Sequence, residues 1–183
     1  MAVSRARDGD LDAYEVIVAR YTAAAHRTAL LFGAGDDAED VVQESFVKAY
    51  RALGRFRVGE PFQPWLLRIV VNETHNLTRS RSRRGRLAAQ LATLRPDRAE
   101  PADPELNAVS RERREALLEA VAALPDKERQ VVTCRYLLEL SEAETAQVLG
   151  WPAGSVKSRL SRALSRLQTP LAARLGEAAG GER

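Results

Sequence analysis

Apolar residues recur along this chain at intervals of three and four and almost nowhere at intervals of two, the spacing of helices buried on one side. From Asp10 to Phe32 the inward stripe is Leu11, Tyr14, Ile17, Tyr21, Ala25, Thr28 and Leu31. The segment FGAGDD breaks that helix, and Asp36 or Asp37 opens a second, its carboxylates suiting the positive end of a helix dipole. Val42, Phe46, Ala49, Tyr50 and Leu53 form its buried side. After GRFRVGEPFQP a third helix starts near Pro64, a residue suited to a first turn, and runs to about Ser80. Its inward positions are Leu66, Leu67, Val70, Val71, Thr74 and Leu77.

Between Ser80 and Pro104 the pattern decays. A run rich in Arg and Ser gives way to a short apolar patch (Leu87, Leu91, Leu94) and then to RPDRAEPADP, the composition of a linker. Helices return from about Glu105 to Ala123, from Asp126 to Leu140, from Ser141 to Leu149, and over GSVKSRLSRALSRL (154–167). Ser141 and Glu144 have capping-box spacing, and Gly150 ends the short helix. The tail GEAAGGER is expected to fray. Asn-Gly hairpins and sustained alternation are absent, so the fold class is all-α, two small helical domains joined by a flexible linker.

Composition adds little to this picture until its distribution is considered. The chain has 183 residues, 45% of them hydrophobic, enough for packed cores, and its net charge is only +3. No acid stands between Thr145 and Gly176, where Lys157, Arg159, Arg162, Arg166 and Arg174 lie, and a second basic run is RSRSRRGR at 79–86. Acids concentrate instead in GDDAED at 35–40, so separate surfaces are expected to meet separate partners. The lone Cys134 has no internal disulfide partner and no metal-ligand spacing around it; it is expected to be a small buried apolar residue. The N-terminus lacks the apolar core of a signal peptide and no apolar run is long enough to span a bilayer, so the chain is expected to be soluble and cytoplasmic, without membrane insertion. His26 and His75 are expected to be ordinary surface or half-buried residues.

Three faces carry candidate chemistry. With Val156 at the centre of the buried side of the last helix, Leu160, Ala163, Leu164 and Leu167 stay near it. Lys157, Ser158, Ser161, Arg162 and Ser165 fall opposite, with Arg159 and Arg166 on one flank. Cations that reach guanine beside small hydroxyls suit base edges in a major groove, and flanking arginines suit phosphates; a solvated amphipathic helix is the alternative. Preceded by the short helix and LGWPAG, this is a helix-turn-helix pattern. On the third helix Trp65, Ile69, Asn72 and Asn76 lie opposite the core side, bordered by Arg68, His75 and Arg79. Aromatic, amide and guanidinium groups together suit unstacked bases, whereas the plainer alternative packs Trp65 and Ile69 on neighbouring segments. The second helix turns outward Asp37, Asp40, Glu44, Val47 and Arg51, a stripe that would repel DNA and suit a basic protein, or simply water.

DAEDVVQESFVKAYRAL (37–53), PFQPWLLRIVVNETHN (61–76), ALPDKERQVVTCRYLLELSEAETAQVLG (123–150) and PAGSVKSRLSRALSRL (152–167) together resemble the extracytoplasmic-function (ECF) sigma factors of the sigma-70 family. The resemblance implies region two over 1–80, a linker over 81–104, region four over 105–175 and a frayed tail over 176–183. It implies that Asp40, Gln43 and Glu44 belong to the surface that docks on the β′ clamp of core RNA polymerase. It implies a pocket for a flipped minus-ten base with Arg55, Phe56, Phe62, Trp65, Arg68, Asn72, Asn76 and Arg79 as candidates. Region four would place Ser155, which stands where the family usually has Thr, with Lys157, Ser158, Arg159, Ser161, Arg162 and Arg166, on the minus-thirty-five element, resting on the β flap. Promoter DNA, core polymerase and, as is common in the family, an anti-sigma factor are the implied partners. No cofactor, metal or catalytic residue is implied: the chain has no nucleophile-base pair, phosphate-binding glycine loop or metal cluster. A conventional helix-turn-helix regulator and a polymerase-binding adaptor that does not open promoters are the rival functions.

Overall fold

Asp10 determines where the first long helix begins. Its Oδ1 accepts a hydrogen bond from the Ala13 amide at 2.9 Å and Oδ2 accepts one from Arg5 Nε at 2.8 Å. Those two bonds, the backbone one foremost, hold its carboxyl below the usual range. The structure, a computed structural model, describes residues 2–57, 59–89 and 117–180; over 82–89 and 169–180 it describes the backbone alone. The chain divides into two units, Met1–Ala92 with Leu140–Pro152, and Thr93–Glu139 with Ala153–Arg183.

The first unit holds α1 (Ala2–Arg7), α2 (Leu11–Leu31), α3 (Ala38–Ala52) and α4 (Phe62–Ala89). Gly33, at φ 96°, ends α2 where the Ala34 amide reaches back to the Ala29 carbonyl at 2.9 Å. A 3-10 turn over Gly35–Asp37 leads into α3, and another over Leu53–Arg55 leaves it. Helices α2, α3 and α4 pack on one another. Ala25, Ala29 and Ala49 bring the backbones close, and Phe46, Leu53, Leu66 and Val70 fill the space between. The buried hydroxyls Thr28, Ser45 and Thr74 each donate to a carbonyl four residues back, at 2.7, 2.6 and 2.9 Å, so none disturbs the core. Tyr14 fastens α2 to α3, its hydroxyl donating to the Phe46 carbonyl at 2.5 Å, and burial pushes its phenol up to about 12. By its packing α7 (Glu142–Leu149), against α4, also belongs here. Its start is the expected capping box: Ser141 Oγ accepts from the Glu144 amide at 3.2 Å, while Glu144 Oε2 accepts from the Ser141 amide at 2.8 Å.

In the second unit 117–122 form α5, followed by α6 (Asp126–Val132), a π turn over Thr133–Leu137, and α8 (Ala153–Gly180). Arg129 joins α5 to α6 by donating to the Ala122 and Leu124 carbonyls at 2.8 and 3.3 Å and by pairing with Asp126. Leu124, Val132, Ala163 and Leu167 make the contact of α6 with α8, with Ala120, Val121 and Leu160 beside them. Cys134 is fully buried, which pushes its thiol up to about 12.

Several expectations change at helix edges. Leu11 and Leu31 are exposed because they occupy the two ends of α2, where little packs over them. Tyr50 lies at the rim of α3 and is 38% exposed. Leu164, about 80° from Val156 on the wheel, falls outside the buried arc that Ala163 completes. Helix α4 starts at Phe62 and runs past Ser80, and α8 continues to Gly180 through part of the expected tail. The six-residue α1 is too short for its period to show in the sequence. Residues 90–104 of the linker expected over 81–104, and 105–116 of the helix expected from about Glu105 to Ala123, lie outside the described residues, as do the side chains of the basic run beyond Arg81; over 81–89 the chain is helical. Among the described residues, no helix is long and apolar enough to cross a membrane.

Candidate nucleic-acid interface

Helix α8 turns Val156, Ala163 and Leu167 inward, and this fixes what faces out. Lys157, Ser158, Ser161, Arg162, Ser165 and Arg166 are exposed, and Ser155 and Arg159 are half-buried. The hydroxyls of Ser158 and Ser165 donate to the Ser155 and Ser161 carbonyls at 3.2 and 3.1 Å. With their protons so engaged, both oxygens present lone pairs to solvent, where they can accept from the amino groups of cytosine or adenine. Arg162 folds Nε onto the Ser158 carbonyl at 3.2 Å, which leaves its Nη groups for an acceptor beyond the helix. Arg166, expected on a phosphate, also has a partner within the fold: its Nε stands 3.0 Å from Glu128 Oε2.

The outer side of α4 is built differently. Trp65 is half-buried, with ring centroids 5.1 Å from Phe56 and 5.3 Å from Phe62. Phe62 also meets Phe56 at 5.4 Å and Tyr21 at 5.3 Å. Phe56 and Phe62, expected among the base-facing groups, are only 4% and 7% exposed, because the turn after α3 folds them against α2 and the start of α4. They brace Trp65 from behind rather than face solvent. Ile69 is half-buried as well, so the plainer expectation for Trp65 and Ile69, packing on neighbours, holds for part of each ring and chain. Arg55, Arg68, Asn72, Asn76 and Arg79 are exposed around this ledge, and His75 stacks edge-on against Phe32 at 5.9 Å.

On α3, Asp40, Gln43, Glu44, Val47 and Arg51 are exposed, whereas Asp37 is drawn into an ion pair with Arg81. Arg81 also donates to the Ala34 carbonyl at 3.1 Å, so it closes the turn that starts α3. Asp37, Asp40, Glu44 and Glu73 border one recess with Asn76. Beside it, Leu11, Tyr14, Phe46, Val47, Tyr50 and Arg51 line an apolar groove. The sequence pattern does not single out Lys48 or Glu73. Lys48 Nζ lies 2.5 Å from Glu73 Oε2 and 3.3 Å from Glu44 Oε1, and the hydrogen bond to Glu73, chiefly, raises its pKa. This pair ties α3 to α4, and only the folded chain brings the two together.

Comparison with known proteins finds two family models in succession along the chain. Residues 17–84 match the family model Sigma-70 region 2, and residues 114–167 match Sigma-70, region 4. The ECF RNA polymerase sigma-E factor of Salmonella typhimurium is 36% identical over 170 residues, covering 88% of this chain and 87% of that protein. The proteins of the same name from Escherichia coli (strain K12) and Haemophilus influenzae are 35% identical over 170 residues and 31% identical over 179, the latter covering 92% of this chain and 93% of its own. Among solved structures, CnrH in complex with the cytosolic domain of CnrY aligns at a TM-score of 0.65 with 28% identity, covering 94% of this chain and 96% of that one. The sigma factor RpoE in complex with the anti-sigma factor NepR from Bartonella quintana shares the fold at a TM-score of 0.68 with 24% identity, covering 86% of this chain and 96% of that one. A chain that carries both sigma-70 regions in order, and that matches sigma-E factors along most of its length and theirs, belongs to the ECF sigma factors.

Proposed function

We propose that this chain directs core RNA polymerase to promoters in the cytoplasm, dividing the work among its three exposed faces. Region two extends over about 1–80 and region four over about 105–175. The acidic stripe of α3, Asp37, Asp40, Gln43 and Glu44 with Val47 and Arg51, docks on the β′ clamp, where opposite charge favours encounter. The exposed side of α8 enters the major groove at the minus-thirty-five element through Ser155, Lys157, Ser158, Ser161 and Arg162, with Arg159 toward phosphate, while the domain rests on the β flap. Once duplex DNA is held there, the ledge of α4 captures a nontemplate minus-ten base. Trp65 supplies a stacking surface, Asn72 and Asn76 pair with base edges, and Arg55, Arg68 and Arg79 hold the backbone. Favourable contacts with unstacked bases offset an opening cost of about a few kcal/mol per step. The chain supplies binding energy and no covalent chemistry of its own. An anti-sigma factor, a common partner in the family, is a further partner of this chain; the similar protein CnrH is likewise held in a complex, with the cytosolic domain of CnrY.

One observation carries this reading: Trp65, half-buried and braced by Phe56 and Phe62, stands among exposed amides and guanidinium groups. A regulator confined to duplex DNA has no use for such a ledge. Purified protein with core polymerase is expected to yield a promoter-specific transcript from a genomic library, and Asn72→Ala to reduce permanganate reactivity of unpaired promoter thymines. If the holoenzyme gave no specific transcript on any genomic template, the proposal would fail. Specific binding to the same duplex without polymerase would favour the regulator instead.

A further inference from the structure

Glu128 figures in none of the expectations, yet among the described residues it is the one charged residue that is buried. Its side chain, in the first turn of α6, is 8% exposed, a position carboxylates rarely occupy without a countercharge. Arg166 of α8 supplies one, with Nε 3.0 Å from Oε2. The angle at that contact falls short of a hydrogen bond, so Oε2 is held by charge. The next residue, Leu167, is buried with Leu124, Val132 and Ala163 in the apolar contact of α6 with α8. The ion pair thus crosses the same interface at its edge. Apolar side chains alone tolerate small rotations of one helix upon another; an ion pair with one buried member permits few.

We propose that Glu128, acting through Arg166, fixes the rotation of α8 on α6 and so aims Lys157, Ser158, Ser161 and Arg162 at the base edges. Arg166 is then a positioning residue and not a phosphate contact. Its charge is already balanced by Glu128, so its approach to DNA releases little counterion. The inference rests on the reading of α8 as the helix that enters the duplex.

The test uses the full chain assembled with core polymerase. The DNA is a promoter fragment that the holoenzyme transcribes and the same fragment with its minus-thirty-five element scrambled. Binding to both is measured across a range of salt for E128Q, R166Q, the double variant, and the controls K157A and R162A. Each single variant is expected to lower the promoter-to-scrambled ratio about fivefold, and the double variant no further than either, as for two residues acting through one interaction. The dependence of log affinity on log salt should keep its slope. The opposite pattern overturns the inference: R166Q shallower in slope by about 1, weakened equally on both fragments, with E128Q unchanged. To guard against misfolding, E128L/R166M removes the buried charge together with its partner, an exchange that folded proteins tolerate. That variant, folded by circular dichroism, should still show the lowered ratio, and a wild-type ratio would sink the idea. Unchanged ratios in both K157A and R162A would overturn the duplex reading itself, whereas lowered ratios there with a wild-type E128Q would overturn the pin alone.

Discussion

Helices α4 and α8 are each buried on one side and polar on the other, but what they present differs in kind. The exposed side of α8 carries short hydroxyls and long cations on a protruding surface without a ring, suited to a groove wide enough for a helix. The outer side of α4 is a ledge, with Trp65 half-sunk against Phe56 and Phe62, Tyr21 behind Phe62, and amides along the rim. An unstacked base needs a flat surface that does not yield, and rings buried behind Trp65 supply that stiffness. Rotation of one helix prepares the α8 face, whereas α2, the turn after α3 and α4 together prepare the ledge.

Truncating the hidden support should separate the two most strongly. Phe62→Ala removes the ring that touches Tyr21, Phe56 and Trp65, and a buried aromatic lost to alanine costs about 3–5 kcal/mol. Urea unfolding should show that loss in the first unit, and promoter opening should disappear with it. If Phe62→Ala kept full stability, the brace would be no brace, and the ledge would lose its claim to rigidity.

On α8 the corresponding change should leave stability alone. Lys157→Ala lies on an exposed position and should weaken selectivity for the minus-thirty-five element by about 1–3 kcal/mol if the side chain meets a base. Competition between specific and random duplex measures this directly. Equal weakening on both would make Lys157 a phosphate contact and narrow the reading face to Ser158, Ser161 and Arg162.

The contrast also explains which parts of the molecule were legible in the sequence. The α8 face follows from 100° per residue, and the inner side of α4, the capping box at Ser141 and the burial of Cys134 follow from equally local rules. What escaped depends on residues far apart in the chain. Phe56 and Phe62, base-pocket candidates by resemblance, are buried in the fold against each other and Trp65, Lys48 meets Glu73 across 25 positions, and the pairing of Arg166 with Glu128 arises only where α6 and α8 come together. Periodicity also misjudged helix ends. Leu11 and Leu31 have the right phase but stand at the ends of α2, where little packs over them, and the Arg- and Ala-rich segments beyond Ser80 and Leu167 carry helix without an apolar stripe to announce it.

A third prediction concerns pH. Burial raises the folded-state pKa of Cys134 from 9.0 to about 12, so the folded thiol keeps its proton where the unfolded one ionises. Its contribution is therefore complete below about pH 9 and lost as pH rises toward about 12, with a slope of at most about 1.4 kcal/mol per pH unit. Tyr14, raised from 10.0 to about 12, acts in the same direction from about pH 10. Cys134→Ala should flatten the alkaline loss of stability in the second unit and leave the Tyr14 part in the first. An unchanged alkaline slope would show that the thiol already meets water.

The smallest effect tests whether stability near a face can change without changing the face. Ser141 lies outside both α4 and α8, and its hydroxyl oxygen accepts the Glu144 amide at the start of α7. Ser141→Ala removes that acceptor but leaves the reciprocal bond from the Ser141 amide to Glu144, so the cost should be about 1 kcal/mol. Ser141→Thr, which keeps the oxygen, should recover most of it. Neither variant should alter minus-thirty-five selectivity or minus-ten opening, because no group on either face moves. A selectivity change in Ser141→Ala that Ser141→Thr reverses would mean that the start of α7 takes part in reading the minus-thirty-five element. The division between a locally determined reading helix and a collectively built ledge would then have to be drawn elsewhere.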